Sequence, residues 1–154
     1  MRVRKIPGIS DENTNCRDDG MDMFTKKIKM SGDFKDWIVY QKAFDLAMKI
    51  FRITTCFPKD EQFSLVSQIR RSSRSVCANL AEAFRRKSSV KYFIHKLCDC
   101  DTENTETQVW LNFAESCNYI GAETFNELKE LQMEVGKLIG AMLRNPGKFI
   151  HHKP

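Results

Sequence analysis

From Gln68 to Lys87 the chain reads QIRRSSRSVCANLAEAFRRK, and this stretch constrains the fold more than any other. Val66, Ile69, Val76, Leu80 and Phe84 recur at helical spacing, so one stripe is made for burial. Beside that stripe stand six basic residues, Arg70, Arg71, Arg74, Arg85, Arg86 and Lys87, against the one acid Glu82. A helix of this kind buries one face and presents arginines next to it. That pattern points to packing and binding rather than to catalysis.

The rest of the described pattern is helical too. The spacing predicts helix one over Asp33–Cys56, capped by Ser31 or Asp33 and ended by Phe57-Pro58. Helix two follows over about Asp60–Arg86, with Glu61 suited to its positive N-terminus. Ser88 and Ser89 suggest a break and a new cap, and helix three runs on to about Tyr119. Gly121 reads as its C-terminal stop. Helix four spans about Glu123–Arg144 and ends at Asn145-Pro146-Gly147. No stretch of useful length shows the period of two that a strand requires. Four long helices with short joints predict an all-α, antiparallel up-down-up-down four-helix bundle over residues 33–145. Residues 1–32 read as a disordered or loosely attached extension and 146–154 as a flexible tail.

Two helices carry more apolar surface than one bundle uses. On helix one, residues from Trp37 to Ile53 cover about two-thirds of the circumference at ~100° per residue. Helix three has one face of Phe93, Leu97, Cys100, Asn104, Thr107, Leu111 and Ala114. A second face holds Tyr92, Asp99, Glu103, Glu106, Trp110, Phe113 and Cys117. Aromatics among acids suggest a protein contact surface. Trp37, Tyr92, Trp110 and Phe113 are the candidate self-association residues, and a folded-back N-terminal extension is the alternative cover.

Charge supports two readings. The net charge is +5, with a pI of about 8.9. Arg70–Lys96 holds eight basic residues and one acid, net +7, while Leu97–Gly136 holds nine acids and Lys129, net −8. Arg71, Arg74, Arg85, Arg86, Lys87 and Lys91 are therefore candidates for gripping RNA phosphates. The acids Asp99, Glu103 and Glu106 could instead pair across helices with Arg70, Arg71 or Arg74, with Arg70 and Arg74 as the leading candidates.

Other chemistry lacks its residues. A di-metal bundle site needs Glu-x-x-His pairs, which this chain does not have, so no metal or cofactor is expected. Ser72, Ser73 and Ser75 have no readable base, and no P-loop or Rossmann glycine pattern occurs, so no catalytic residue is expected. The six cysteines show no CxxC pair and read as free thiols in a reducing cytoplasm. No signal peptide or transmembrane span is apparent.

Residues 34 to about 143 resemble the small four-helix bundle proteins encoded in intervening sequences of bacterial large-subunit (23S) ribosomal RNA genes. The resemblance rests on FKDWIVYQKAFDLAMKIF at 34–51, FPKDEQFSLVSQIRRSSRSVCANLAEAFRR at 57–86 and ENTETQVWLNFAESCNYI at 103–120. It implies a left-handed bundle that assembles into a ring, expected as a homopentamer. Through a related branch, the accessory proteins of diversity-generating retroelements, it implies nucleic acid and a reverse transcriptase as partners. Two residues depart from the family pattern. Cys77 stands where proline is common, so helix two should run straight. Ala83 stands where glycine is common, so the helix should extend through Phe84. The expectation is a cytoplasmic, non-enzymatic, oligomeric bundle binding RNA through arginines. The alternative is a structural or protein-interaction module whose arginines close salt bridges.

Overall fold

The computed structural model describes residues 32–150. The expected extension up to residue 31, with Cys16 and the Ser31 cap, lies outside the described residues, as do 151–154. Four helices, α1 (Ile38–Ile53), α2 (Leu65–Arg85), α3 (Val90–Ser116) and α4 (Ala122–Arg144), pack on one another with no strand among the described residues.

Each helix boundary has a local cause. Asp33 caps a short 3-10 turn, Phe34–Asp36, accepting from the Lys35 N–H. Trp37 is then extended, so α1 starts five residues later than the apolar spacing suggested. Thr54 closes α1 by donating to the carbonyls of Ile50 and Phe51, and extended Phe57 precedes Pro58. Helix α2 begins at Leu65 rather than Asp60, because Ser64 leaves the helical region. Glu61 nonetheless serves its N-terminus, accepting from the Leu65 N–H and the Ser64 and Tyr119 hydroxyls. These three donors hold the Glu61 carboxyl below the usual range, the Ser64 hydroxyl most strongly. The expected stop at Gly121 is corrected. Asn118, at φ 58°, takes the left-handed position after α3. Its N–H bonds the Glu115 carbonyl and the Tyr119 N–H bonds the Ala114 carbonyl, a Schellman closure. Gly121 instead caps the start of α4. Helix α2 is continuous through Cys77 and Ala83 to Arg85, so it extends past Phe84 as the alanine implied.

Rising numbers on one helix meet falling numbers on the next. Lys42 reaches Glu134 at 2.9 Å and Lys49 reaches Glu127. Thr54 meets Arg70 while Trp37 meets Phe84. Ser72 meets Thr107 and Val76 meets Cys100. Leu97 and Cys100 share a cluster with Val135 and Ile139, whereas Leu111 and Ala114 pack with Phe125 and Leu128. The core therefore has two apolar clusters. Buried Ser72, Ser73, Asn104, Thr107 and Gln132 lie between them. Asn104 and Gln132 each donate a side-chain N–H to the other's backbone carbonyl, at 3.2 and 3.1 Å. A Cβ at Gly136 would come within 3.1 Å of the Asn104 amide, so the glycine permits this close approach.

The seven residues assigned to the buried face of helix three are the seven buried residues of α3. The packed unit extends past residue 145. Ile150 is buried and Phe149 lies 6.4 Å from the Trp37 ring, because the stop at Pro146-Gly147 leaves two apolar side chains beside an open bundle end.

Candidate nucleic-acid interface

The arginines of α2 divide by helical phase. At ~100° per residue, Arg70 and Arg74 lie one turn apart on the flank toward α1, and Arg71 falls on the flank toward α3. Arg71 donates to Glu103 at 3.4 Å and to Glu106, whose carboxylate also accepts the Trp110 indole N–H at 3.1 Å. The Arg71 hydrogen bond, and then the indole, hold the Glu106 carboxyl below the usual range. Arg71 is thus neutralised within the chain. The expected pairing of Arg70 and Arg74 with these acids is corrected, because both arginines face the opposite neighbour. Arg70 Nε donates to Thr54 at 2.8 Å, and both guanidiniums lie over the Phe51 ring. Asp99 pairs with Lys96 at 3.2 Å and with His95 at 3.5 Å.

The C-terminal end of α2 keeps its charge. Arg85 and Arg86 are exposed, and neither has a carboxylate partner among the described residues. The Arg86 guanidinium lies 5.7 Å from the Tyr92 ring. Lys87 does something else. Its ammonium sits 3.6 Å from the Phe84 ring centroid and 5.5 Å from Trp37, and burial pulls its pKa down. It closes the aromatic end of the core. Lys91 is exposed in the first turn of α3, which carries no acid. A cation there opposes the helix dipole, so its position has no stabilising role in the helix. Shallow concavities lined by Arg86, Tyr92, His95 and Lys96, and by Phe34, Ala81, Glu82, Arg85 and Arg86, flank this joint.

Among the candidate self-association residues, Tyr92 and Phe113 are exposed and Trp110 is half-buried against Phe113, with rings 5.8 Å apart. Trp37 does not belong with them. It sits half-buried among Phe84, Phe93 and Phe149 at the bundle end. The acid-rich side of α3 is a flank of the buried stripe, turned toward α2. Sequence reasoning missed fully exposed Phe63 and the Phe51–Arg70–Arg74 cluster. No linear signal marks the cluster, since it forms between helices. Free thiols are found at Cys56, Cys77, Cys98, Cys100 and Cys117, and burial pushes Cys77 up to about 11. Among the described residues no three His, Cys, Asp or Glu side chains gather as a metal requires, and no helix is long and apolar enough to cross a membrane.

The family model described as 23S rRNA-intervening sequence protein matches residues 35–141. A crystal structure of a protein with unknown function from the S23 ribosomal protein family of Bacteroides thetaiotaomicron VPI-5482 is similar, with a TM-score of 0.63 and 28% identity. The similarity covers 70% of this chain and 96% of that one. No curated protein matches the chain.

Proposed function

The chain belongs to the 23S rRNA-intervening sequence protein family, and from that premise we propose that it is a non-enzymatic, oligomeric four-helix bundle that binds RNA through the joint between α2 and α3. The reading is carried by one observation: Arg85, Arg86 and Lys91 are exposed together without carboxylate partners among the described residues. Most other cations of the basic segment are engaged. Arg71 pairs with Glu103 and Glu106, Lys96 with Glu82 and Asp99, and Lys87 caps Phe84. Guanidiniums left open beside a helix N-terminus suit phosphate oxygens. Assembly of copies would array this joint and strengthen binding through multivalency. The exposed Tyr92 and Phe113 support self-association.

A second reading is a protein-interaction module, for instance one that docks a reverse transcriptase. It is favoured by the neutralised Arg71 and by the same exposed aromatics. Fluorescence anisotropy with labelled RNA at low salt separates the two. Replacing Arg85, Arg86 and Lys91 by Gln should weaken binding to all sequences and flatten the salt slope by roughly 0.7–0.9 per lost phosphate contact. Light scattering should give a mass several times 17.9 kDa for both proteins. An intact oligomer without RNA affinity in the wild type would select the interaction module.

A further inference from the structure

The flank of α1 that faces α2 carries an aromatic row. Tyr40 and Phe44 stack with centroids 6.1 Å apart and planes at 22°. Phe44 is 50% exposed. Phe51, two turns further on, is 36% exposed and bears the Arg70 guanidinium at 4.8 Å and that of Arg74 at 5.7 Å. Arg70 is fixed there by its bonds to the Thr54 hydroxyl and the Phe51 carbonyl. Arg74 is exposed and has no carboxylate or hydrogen-bond partner among the described residues. The nearby acid on α1, Asp45, turns toward Lys49 on the far side of the helix.

An exposed row of rings beside an open guanidinium, that of Arg74, is what a single strand requires: ring faces for its bases and a cation for its phosphates. A duplex hides its base faces and could not use the rings. Phe44 and Phe51 are about 10.5 Å apart along the helix axis, roughly three base-stacking steps of ~3.4 Å. We propose that the α1/α2 flank binds unpaired nucleotides of single-stranded RNA, with bases stacked on Phe44 and beside Phe51 and a phosphate held by Arg74. This rests on the RNA-binding reading above. It adds the class of RNA and a contact region separate from the Arg85–Lys91 joint.

The test is anisotropy on the full chain with two fluorescein-labelled probes, an oligouridylate of about twelve nucleotides and an RNA duplex of similar length. Phe44→Leu keeps an apolar side chain at a half-exposed site and removes only the ring. It should lower affinity for the oligouridylate by about tenfold and leave the duplex unchanged. Arg74→Gln should lower oligouridylate affinity and reduce the salt slope by ~0.7. If both variants bind the oligouridylate as the wild type does while Arg85→Gln/Arg86→Gln loses it, the flank is not the site and the broader RNA reading stands. A wild type that binds neither probe removes both readings. A lower assembly mass for Phe44→Leu by light scattering would mean that a second copy covers this flank, which also overturns the proposal.

Discussion

Helix α2 touches α1 along one flank and α3 along the other, and its arginines meet opposite fates on the two sides. Toward α3, Arg71 finds Glu103 and Glu106, and Lys96 reaches back to Glu82 at 2.8 Å. Toward α1, Arg70 and Arg74 find a phenyl ring and a threonine hydroxyl. A ring attracts a guanidinium without cancelling its charge. Two arginines adjacent in sequence, Arg70 and Arg71, thus differ in kind: one keeps its field and the other loses most of it. The charge of a segment therefore says little about binding until the neighbouring helix is known. The α1/α2 flank is positive and aromatic, whereas the α2/α3 flank, short of the Arg85–Lys91 joint at its end, is close to neutral and bears exposed aromatics of its own.

Both flanks depend on the same core, and breaking the core should give the largest effect. Leu80 lies in the cluster with Phe93 and Leu97, and Leu111 in the cluster that Trp110 packs against, each almost fully buried. Leu80→Ala and Leu111→Ala should each destabilise by about 2–5 kcal/mol in urea. If the polar layer joins the clusters into one cooperative bundle, the m-value should not change. A reduced m-value in one variant would show that the clusters unfold apart. The two flanks would then have to be treated as separate units. A change below about 0.5 kcal/mol at both sites would refute the assigned packing.

What could be read in advance follows from how local each cause is. The buried face of α3 was legible because seven residues obey one period within one helix. The boundary between α3 and α4 was half legible. A glycine was the expected stop, but asparagine also tolerates positive φ, and Asn118 stands where the last turn needs it. The late start of α2 was not picked out, because Asp60 and Glu61 offer an equally good acidic N-terminus just before Ser64, a serine that takes the nonhelical N-cap backbone but spends its hydroxyl on Glu61. At the site, phase alone separates Arg71 from Arg70, and the acids Glu103 and Glu106 were recognised as partners. Which arginine meets them depends on the rotation of α2 against α3, which the pattern of one chain fixes only to within about one residue, or ~100°. Lys87 shows the same limit: it reads as a surface cation and folds as a lid on Phe84.

A smaller effect would sharpen the contrast between the flanks. Arg71→Gln removes the partner of two carboxylates and should lower stability by about 0.2–1 kcal/mol, as for other exposed pairs, with little change in RNA affinity. Arg74→Gln should do the reverse: stability within about 0.5 kcal/mol of wild type and weaker binding to RNA. Urea melts and anisotropy on the same two proteins test this. If both variants lose affinity equally, the salt bridges on the α3 flank do not neutralise Arg71, and the distinction collapses.

The smallest effect is a pH dependence that only one flank should show. Glu106 has its folded-state pKa lowered, chiefly by the Arg71 hydrogen bond and then by the Trp110 indole. A lowered carboxyl stabilises the fold above its unfolded pKa, near 4.3, and that contribution disappears as pH falls through the lower folded value. The stability difference between wild type and Glu106→Gln should therefore hold steady from neutral pH down to about 5 and shrink below about 4. On the other flank Arg74 has no carboxylate partner among the described residues, so the difference between wild type and Arg74→Gln should stay flat across the same range. Urea melts at intervals from pH 7 to pH 3 measure both. An acid-dependent difference at Arg74 would mean that a carboxylate reaches the α1/α2 flank after all, and the positive field argued for that face would be lost with it.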